Sequence, residues 1–214
     1  MSRTAALTLL CTLVLGACRD APPEELIDLG PLPPWSLQSE AGQPLGNAEL
    51  AGKPWVANFL FTSCPSSCPP LARATADLQA RVKKWQSPGE PPSVRLISVT
   101  VDPVTDTPDV LTAFARKYGA DPQLWSFATG DYAVMERLVT DGFLLPIQRS
   151  DRPVRGQHGH EGAGVLARPT PLDTAHSLRF VLVDGAGHIR GLYNQDADSL
   201  AKLDAALQYF VRHP

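Results

Sequence analysis

Basic charge is scarce in this chain. Nineteen Lys and Arg stand against 22 Asp and Glu, for a net charge of −3. There is no basic stripe of the kind that nucleic-acid-binding domains carry, so no nucleic-acid partner is expected. No period of roughly 20–50 residues recurs, which argues against repeat arrays. No apolar run reaches the about 20 residues a spanning helix needs. Methionine occurs only at Met1 and Met135, too few for a thioether-rich metal site. No Ser-His-Asp arrangement, phosphate-cradling glycine loop or pair of acid/base carboxylates can be picked out. Proline, in contrast, is plentiful: 21 of 214 residues, about twice the ordinary usage of roughly 5%. Element interiors exclude proline, so part of it belongs to linkers or insertions. With 43% hydrophobic residues, the chain can bury one domain's core.

Arg3 supplies a short positive start, and residues 5–16 form an almost uncharged run ending in Leu15-Gly16-Ala17-Cys18. The run is too short to cross a bilayer and fits a secretory h-region. Its last four residues resemble the bacterial lipobox, in which cleavage precedes the cysteine and that cysteine is lipidated. An ordinary signal peptide or a buried N-terminal helix is the alternative. The expected organisation is a lipoprotein signal peptide over 1–17, a lipidated tether over 18–34 and one domain over 35–214. Lipid on Cys18 would anchor the chain on the periplasmic or cell-surface side of a bacterial membrane. Arg19, not an acidic retention signal, follows it, so inner and outer membrane both stay open. Cys11 leaves with the signal, and one thiol pair remains, Cys64 and Cys68. The compartment is one where disulfides form and copper is accessible.

From Trp35 a small hairpin is expected, turning at Glu40-Ala41-Gly42. Residues 55–62 (WVANFLFT) are a near-continuous apolar run, the pattern of a strand covered on both faces. Leu71, Leu78, Val82 and Trp85 fall at helical spacing, which predicts a helix over 70–85 with proline at its start. A second buried strand is expected over 94–101, helices over 107–118 and 131–140, and strands over 178–183 and 188–193 around an Asp184-Gly185-Ala186-Gly187 turn. An amphipathic helix over 199–212 closes the chain. This order predicts an α/β, thioredoxin-like fold with an N-terminal β-hairpin. A long loop insertion, about 146–172, precedes the penultimate hairpin and is too aperiodic and too long for an ordinary connection.

The chemistry concentrates in FTSCPSSCPPL, residues 61–71. Cys64 stands where the central strand ends and Cys68 just before a helix begins, at the carboxyl edge where open α/β sheets collect ligands. At this spacing two Cβ atoms can approach to about 5–6 Å, near what a disulfide tolerates and close enough for both sulfurs to reach one metal ion. A helix N-terminus favours the thiolate. Pro65, Pro69 and Pro70 offer no N–H, however, so only a modest lowering of thiol pKa is expected, which favours ligation over fast exchange. A structural disulfide, two buried free thiols and a zinc site are the competing uses of the same pair.

Of five histidines, His176 stands out, immediately ahead of the strand LRFVLV. Thioredoxin-like folds bring that junction against the cysteine turn. Two thiolates and an imidazole form a soft, three-coordinate set that suits copper better than hard cations; the plain alternative is a histidine capping a strand. His158 and His160 lie in the glycine-rich insertion, where transient metal recruitment competes with simple solvation. His188 and His213 are expected to be solvated.

Taken together, FTSCPSSCP, SVTVDPVTDTPDVL (98–111) and HSLRFVLVDGAGHIRGLY (176–193) resemble the Sco/SenC family of copper-binding thioredoxin-fold proteins, from about Trp35 to Arg212. The resemblance implies copper, Cu(I) or Cu(II), held by Cys64, Cys68 and His176. It also implies a role in maturing the binuclear copper centre of cytochrome c oxidase. The implied partners are the oxidase copper-centre subunit or another cuproprotein, a copper donor chaperone and a thiol reductant. Family members usually carry an aspartate directly before the histidine. Ala175 stands there in this chain and Asp173 is the nearest carboxylate, which bears on affinity. The expected activity is a membrane-anchored copper metallochaperone. The alternative is a thiol-disulfide oxidoreductase in which Cys64 attacks and Cys68 resolves, although thioredoxin-type reductases usually place two residues between their cysteines. A peroxiredoxin-type peroxidase is a third reading.

Overall fold

A computed structural model describes residues 22–23, 26–85, 89–145 and 179–213. Three parallel strands form its centre: β3 (Trp55–Leu60), β4 (Arg95–Thr100) and β5 (Trp125–Thr129). All six residues of β3 are buried, as its uninterrupted apolar composition requires of a strand with layers on both sides. The hairpin β1 (Ser36–Ser39) and β2 (Pro44–Gly46) joins antiparallel to β5, and β6 (Phe180–Val183) with β7 (Ile189–Tyr193) joins antiparallel to β3. The sheet order is β2-β1-β5-β4-β3-β6-β7.

Alternate side chains of each strand feed two cores. Val56, Leu60, Leu96, Phe127, Phe180 and Leu182 pack under α2 (Cys68–Trp85), α3 (Pro108–Lys117) and α5 (Ala197–Arg212). Trp55, Ala57, Phe59, Ile97, Val99 and Val181 face α1 (Asn47–Leu50) and α4 (Tyr132–Arg137), which runs on into a π-turn at Leu138–Gly142. Local chemistry sets the helix starts. Thr107 accepts from Val110 N–H ahead of Pro108, and Asp196 accepts from Ser199 N–H, so both helices open on a side-chain cap.

The expected α/β, thioredoxin-like architecture is the one observed, with differences in detail. β5 was not anticipated. Its five residues, WSFAT, alternate large and small side chains and are closely flanked by Gly119 and Gly130, so no apolar run announces them. It completes the parallel core and is the strand to which the N-terminal hairpin attaches. α2 begins at Cys68, two residues ahead of the expected start, and α4 is regular only to Arg137.

Part of the segment read as a tether lies on the sheet. Ile27 N–H donates to Arg190 O, Leu29 N–H to Ile189 O and Leu32 N–H to Gly187 O, while Ile189 N–H donates to Gly30 O. Residues 27–32 therefore line the outer edge of β7, and Leu32 is buried in the second core. Cys18 and the expected insertion at 146–172 lie outside the described residues. Among the described residues no helix is long and apolar enough to cross a membrane.

Candidate metal centre

β3 delivers the chain to the carboxyl edge of the parallel strands, where Phe61–Cys64 closes a turn with Cys64 N–H donating to Phe61 O at 3.3 Å. The turn sets Cys64 back over the first residue of α2. Cys68 N–H, one of the helix N-terminal donors that lack an intrahelical partner, donates to Cys64 Sγ at 3.3 Å. Ser67 Oγ lies 3.3 Å from the same sulfur. Both cysteines are free thiols and buried.

The two sulfurs differ sharply in acidity. Burial pushes the Cys64 thiol up, but hydrogen bonds from the Ser67 hydroxyl, the Cys68 thiol and the N–H groups of Cys68 and Ser66 outweigh it and bring it down to about 6. Burial pushes Cys68 up to about 12; the Phe61 N–H donated to its sulfur opposes this, and the neighbouring Cys64 adds to the rise. The expectation of only a modest lowering is thus corrected. Three prolines do remove donors, yet the Cys68 amide is aimed at the Cys64 sulfur and the Ser67 hydroxyl reinforces it. A sulfur held as thiolate beside a neutral thiol makes a soft, electron-rich donor pair. The same arrangement is a nucleophile with a resolving partner.

Of the remaining candidates, His176, His158, His160 and Asp173 lie outside the described residues. His188 is not simply solvated: its Nδ1 sits 3.0 Å from Asp28 Oδ1, beside Arg190, whose Nη1 is 3.0 Å from Asp28 Oδ2. His213 stacks on Tyr209 with ring centroids 4.4 Å apart. Met135 is buried in the second core. Among the described residues no group of three or more His, Cys, Asp or Glu side chains is placed to hold a metal ion. Ser67 is the contributor that spacing arguments passed over. A hydroxyl one residue before the helix start, in a loop otherwise poor in donors, was the available signal.

Fold and site together define a thioredoxin-like protein with a CxxxC thiol pair at the junction of its central strand and first long helix. Its family follows from comparison with known proteins: the SCO1/SenC family model matches residues 30–211, and the chain belongs to that family. It is 37% identical over 97 residues to a SCO1 protein homolog of Bacillus subtilis (strain 168), covering 45% of this chain and 48% of that one. It is 30% identical over 142 residues to a putative copper-binding protein of Stutzerimonas stutzeri, covering 64% and 59%. The chain thus spans about half the length of the curated relatives it matches. The crystal structure of a SCO1/SenC family lipoprotein from Bacillus anthracis superposes with a TM-score of 0.65 at 25% identity, covering 86% of this chain and 97% of that one.

Proposed function

We propose that this protein is a copper metallochaperone: it takes up one copper ion between Cys64, Cys68 and His176 and passes it by ligand exchange to an extracytoplasmic cuproprotein. The observation that carries the reading is the pair of buried, unbridged thiols, with Cys64 Sγ held toward thiolate by the start of α2. Two sulfurs, one of them ready to lose its proton near neutrality, fit a soft, thiophilic cation. The position of β6 supports the third ligand. Ala57 pairs with Val181, so continuing that register sets the start of β6 beside the end of β3, next to the cysteine turn. His176 precedes Arg179 by three residues, a span of at most about 11 Å of extended chain.

Copper is cargo in this reading. Cys64 binds as thiolate, Cys68 gives up its proton on ligation as metal-bound thiols do, and an acceptor's own thiolates or imidazoles displace the ligands in turn. The acceptor is the copper-centre subunit of cytochrome c oxidase or a related cuproprotein, as membership of a family of oxidase assembly proteins suggests. A copper donor chaperone loads the site and a thiol reductant keeps it open. A signal peptide over 1–17, lipid on Cys18 and a tether running from there to the sheet-bound segment that begins at Ile27 would hold the folded domain on the periplasmic or cell-surface side of the membrane.

A second reading has its own observation. The split between about 6 for Cys64 and about 12 for Cys68 is that of an attacking and a resolving thiol. Cys64 thiolate would attack a substrate disulfide and expel one substrate thiolate. Cys68, on losing its proton, would then close the intramolecular S–S bond and release the second. Anaerobic titration of the reduced full-length protein in detergent with Cu(I) and Cu(II) separates the two. The chaperone reading requires a 1:1 complex with sulfur-to-copper charge-transfer bands in the Cu(II) form. His176→Ala should weaken copper binding about 10-fold or more and leave disulfide exchange intact. A variant that binds copper as the parent does would sink the three-ligand site.

A further inference from the structure

Asp106, on the connection between β4 and α3, is fully buried (0% exposed) and takes no part in the thiol chemistry described above. Its carboxylate oxygens accept the Thr62 N–H at 3.3 and 3.1 Å, the Thr62 hydroxyl at 2.5 Å and the Thr100 hydroxyl at 2.5 Å. Its main-chain carbonyl accepts the Thr129 hydroxyl at 2.9 Å. Thr100 and Thr129 end β4 and β5, and Thr62 follows the end of β3, so one residue ties the carboxyl ends of the three parallel strands. A buried carboxylate needs such donors in place of water. Two of the three donors to its carboxylate come from Thr62, two residues before Cys64.

Thr62 is the second residue of the Phe61–Cys64 turn, whose own hydrogen bond runs from Cys64 N–H to Phe61 O. That turn leaves the Thr62 N–H without a partner inside it, and Asp106 supplies one. Two residues further on, Cys64 Sγ receives the Cys68 N–H. Any displacement of Thr62 therefore disturbs the contact that joins Cys64 to the start of α2.

We propose that Asp106 is a positioning residue for the thiol pair: by holding the N–H and hydroxyl of Thr62 it fixes the turn that seats Cys64 against the start of α2. The proposal concerns the metal-free dithiol, so it is decided independently of copper binding.

The test equilibrates metal-free full-length protein with reduced and oxidised glutathione. One S–S bond forms between Cys64 and Cys68 as one glutathione disulfide is reduced to two glutathiones, read by mass spectrometry of the peptide containing both cysteines. Asp106→Asn places an amide N–H2 where Thr62 and Thr100 offer their own donors. Thr62→Val deletes the hydroxyl alone. With the turn less well fixed, the contact from the Cys68 N–H to Cys64 Sγ weakens and the reduced state loses its advantage. The equilibrium constant for oxidation should rise about tenfold in Asp106→Asn and a few-fold in Thr62→Val, and Cys64 alkylation at pH 7 should slow in parallel. Arg81→Ala, which removes the 2.7 Å ion pair between α2 and Asp204 of α5, is the control for stability alone and should move neither quantity. If Thr62→Val keeps the parent equilibrium and alkylation rate, the proposal fails, whether or not Asp106→Asn folds. It fails equally if Arg81→Ala shifts them as much.

Discussion

Cys64 and Cys68 share one loop, yet donors converge on the first sulfur while burial dominates the second. Alkylation of the reduced, metal-free protein should therefore modify Cys64 alone at neutral pH, with a rate that climbs through about 6 and then levels. Ser67→Ala, which removes a hydrogen bond to that sulfur, should move the climb upward; an unchanged profile would mean the backbone amides suffice. Stability follows the same sign. A thiol lowered from 9.0 to about 6 contributes stability that is complete above the unfolded value and is lost as pH falls through the folded one. The urea midpoint of reduced protein should gain a rising contribution from Cys64 between those limits. The thiol pair was legible in the sequence because both cysteines sit in one short loop between a recognisable strand and helix. The contact from Asp106 to Thr62 was not, because it joins residues 44 positions apart and exists only once β3 and β4 lie side by side. Ser67 was missed for a different reason: its role depends on where a hydroxyl points, which spacing alone does not specify.

At the scale of elements, β3, β4 and the helices were legible where composition and period agreed, as in the apolar run at Trp55–Leu60 and the capped α3. β5 escaped notice because its burial comes from neighbours on both sides, β4 and the hairpin, and not from a hydrophobic run of its own. The β6–β7 turn shows how sequence-local and tertiary demands combine. Asp184 Oδ1 accepts the N–H groups of Ala186 and His188, which is the aspartate's usual service in a turn. Gly185 answers to something else. A Cβ there would stand 2.9 Å from Gly52 C and 3.1 Å from Lys53 N, backbone atoms of the turn that leads into β3, and its carbonyl accepts the Gly52 N–H at 2.8 Å. Gly185→Ala should cost about 1–3 kcal/mol in denaturant unfolding, since neither backbone can give way cheaply. A variant as stable as the parent would show that the two turns separate freely.

Across the whole molecule, the described segment from Leu26 to Pro34 closes the sheet instead of trailing from it. β7 would otherwise present an open row of N–H and C=O groups, a hazard for pairing with another chain, and the backbone of residues 27–32 occupies that row. Side chains make the attachment part of the fold. Leu32 is 6% exposed and packs on the end of the π-turn, where a Cβ built on Gly142 would meet Leu32 Cδ2 at 3.4 Å and Pro33 Cδ at 3.4 Å. Leu32→Ala should therefore cost about 2–5 kcal/mol, the range for truncating a buried leucine, where a residue of a free tether would cost nothing. Hydrogen exchange distinguishes the routes of the loss. If the segment is held chiefly through Leu32, the Leu29 and Ile189 amides, which bond across the β7 edge, should exchange faster in the variant while the β3 and β4 amides change only with global stability. If Leu29 and Ile189 keep their protection, the backbone bonds hold the edge unaided and Leu32 contributes to the second core alone.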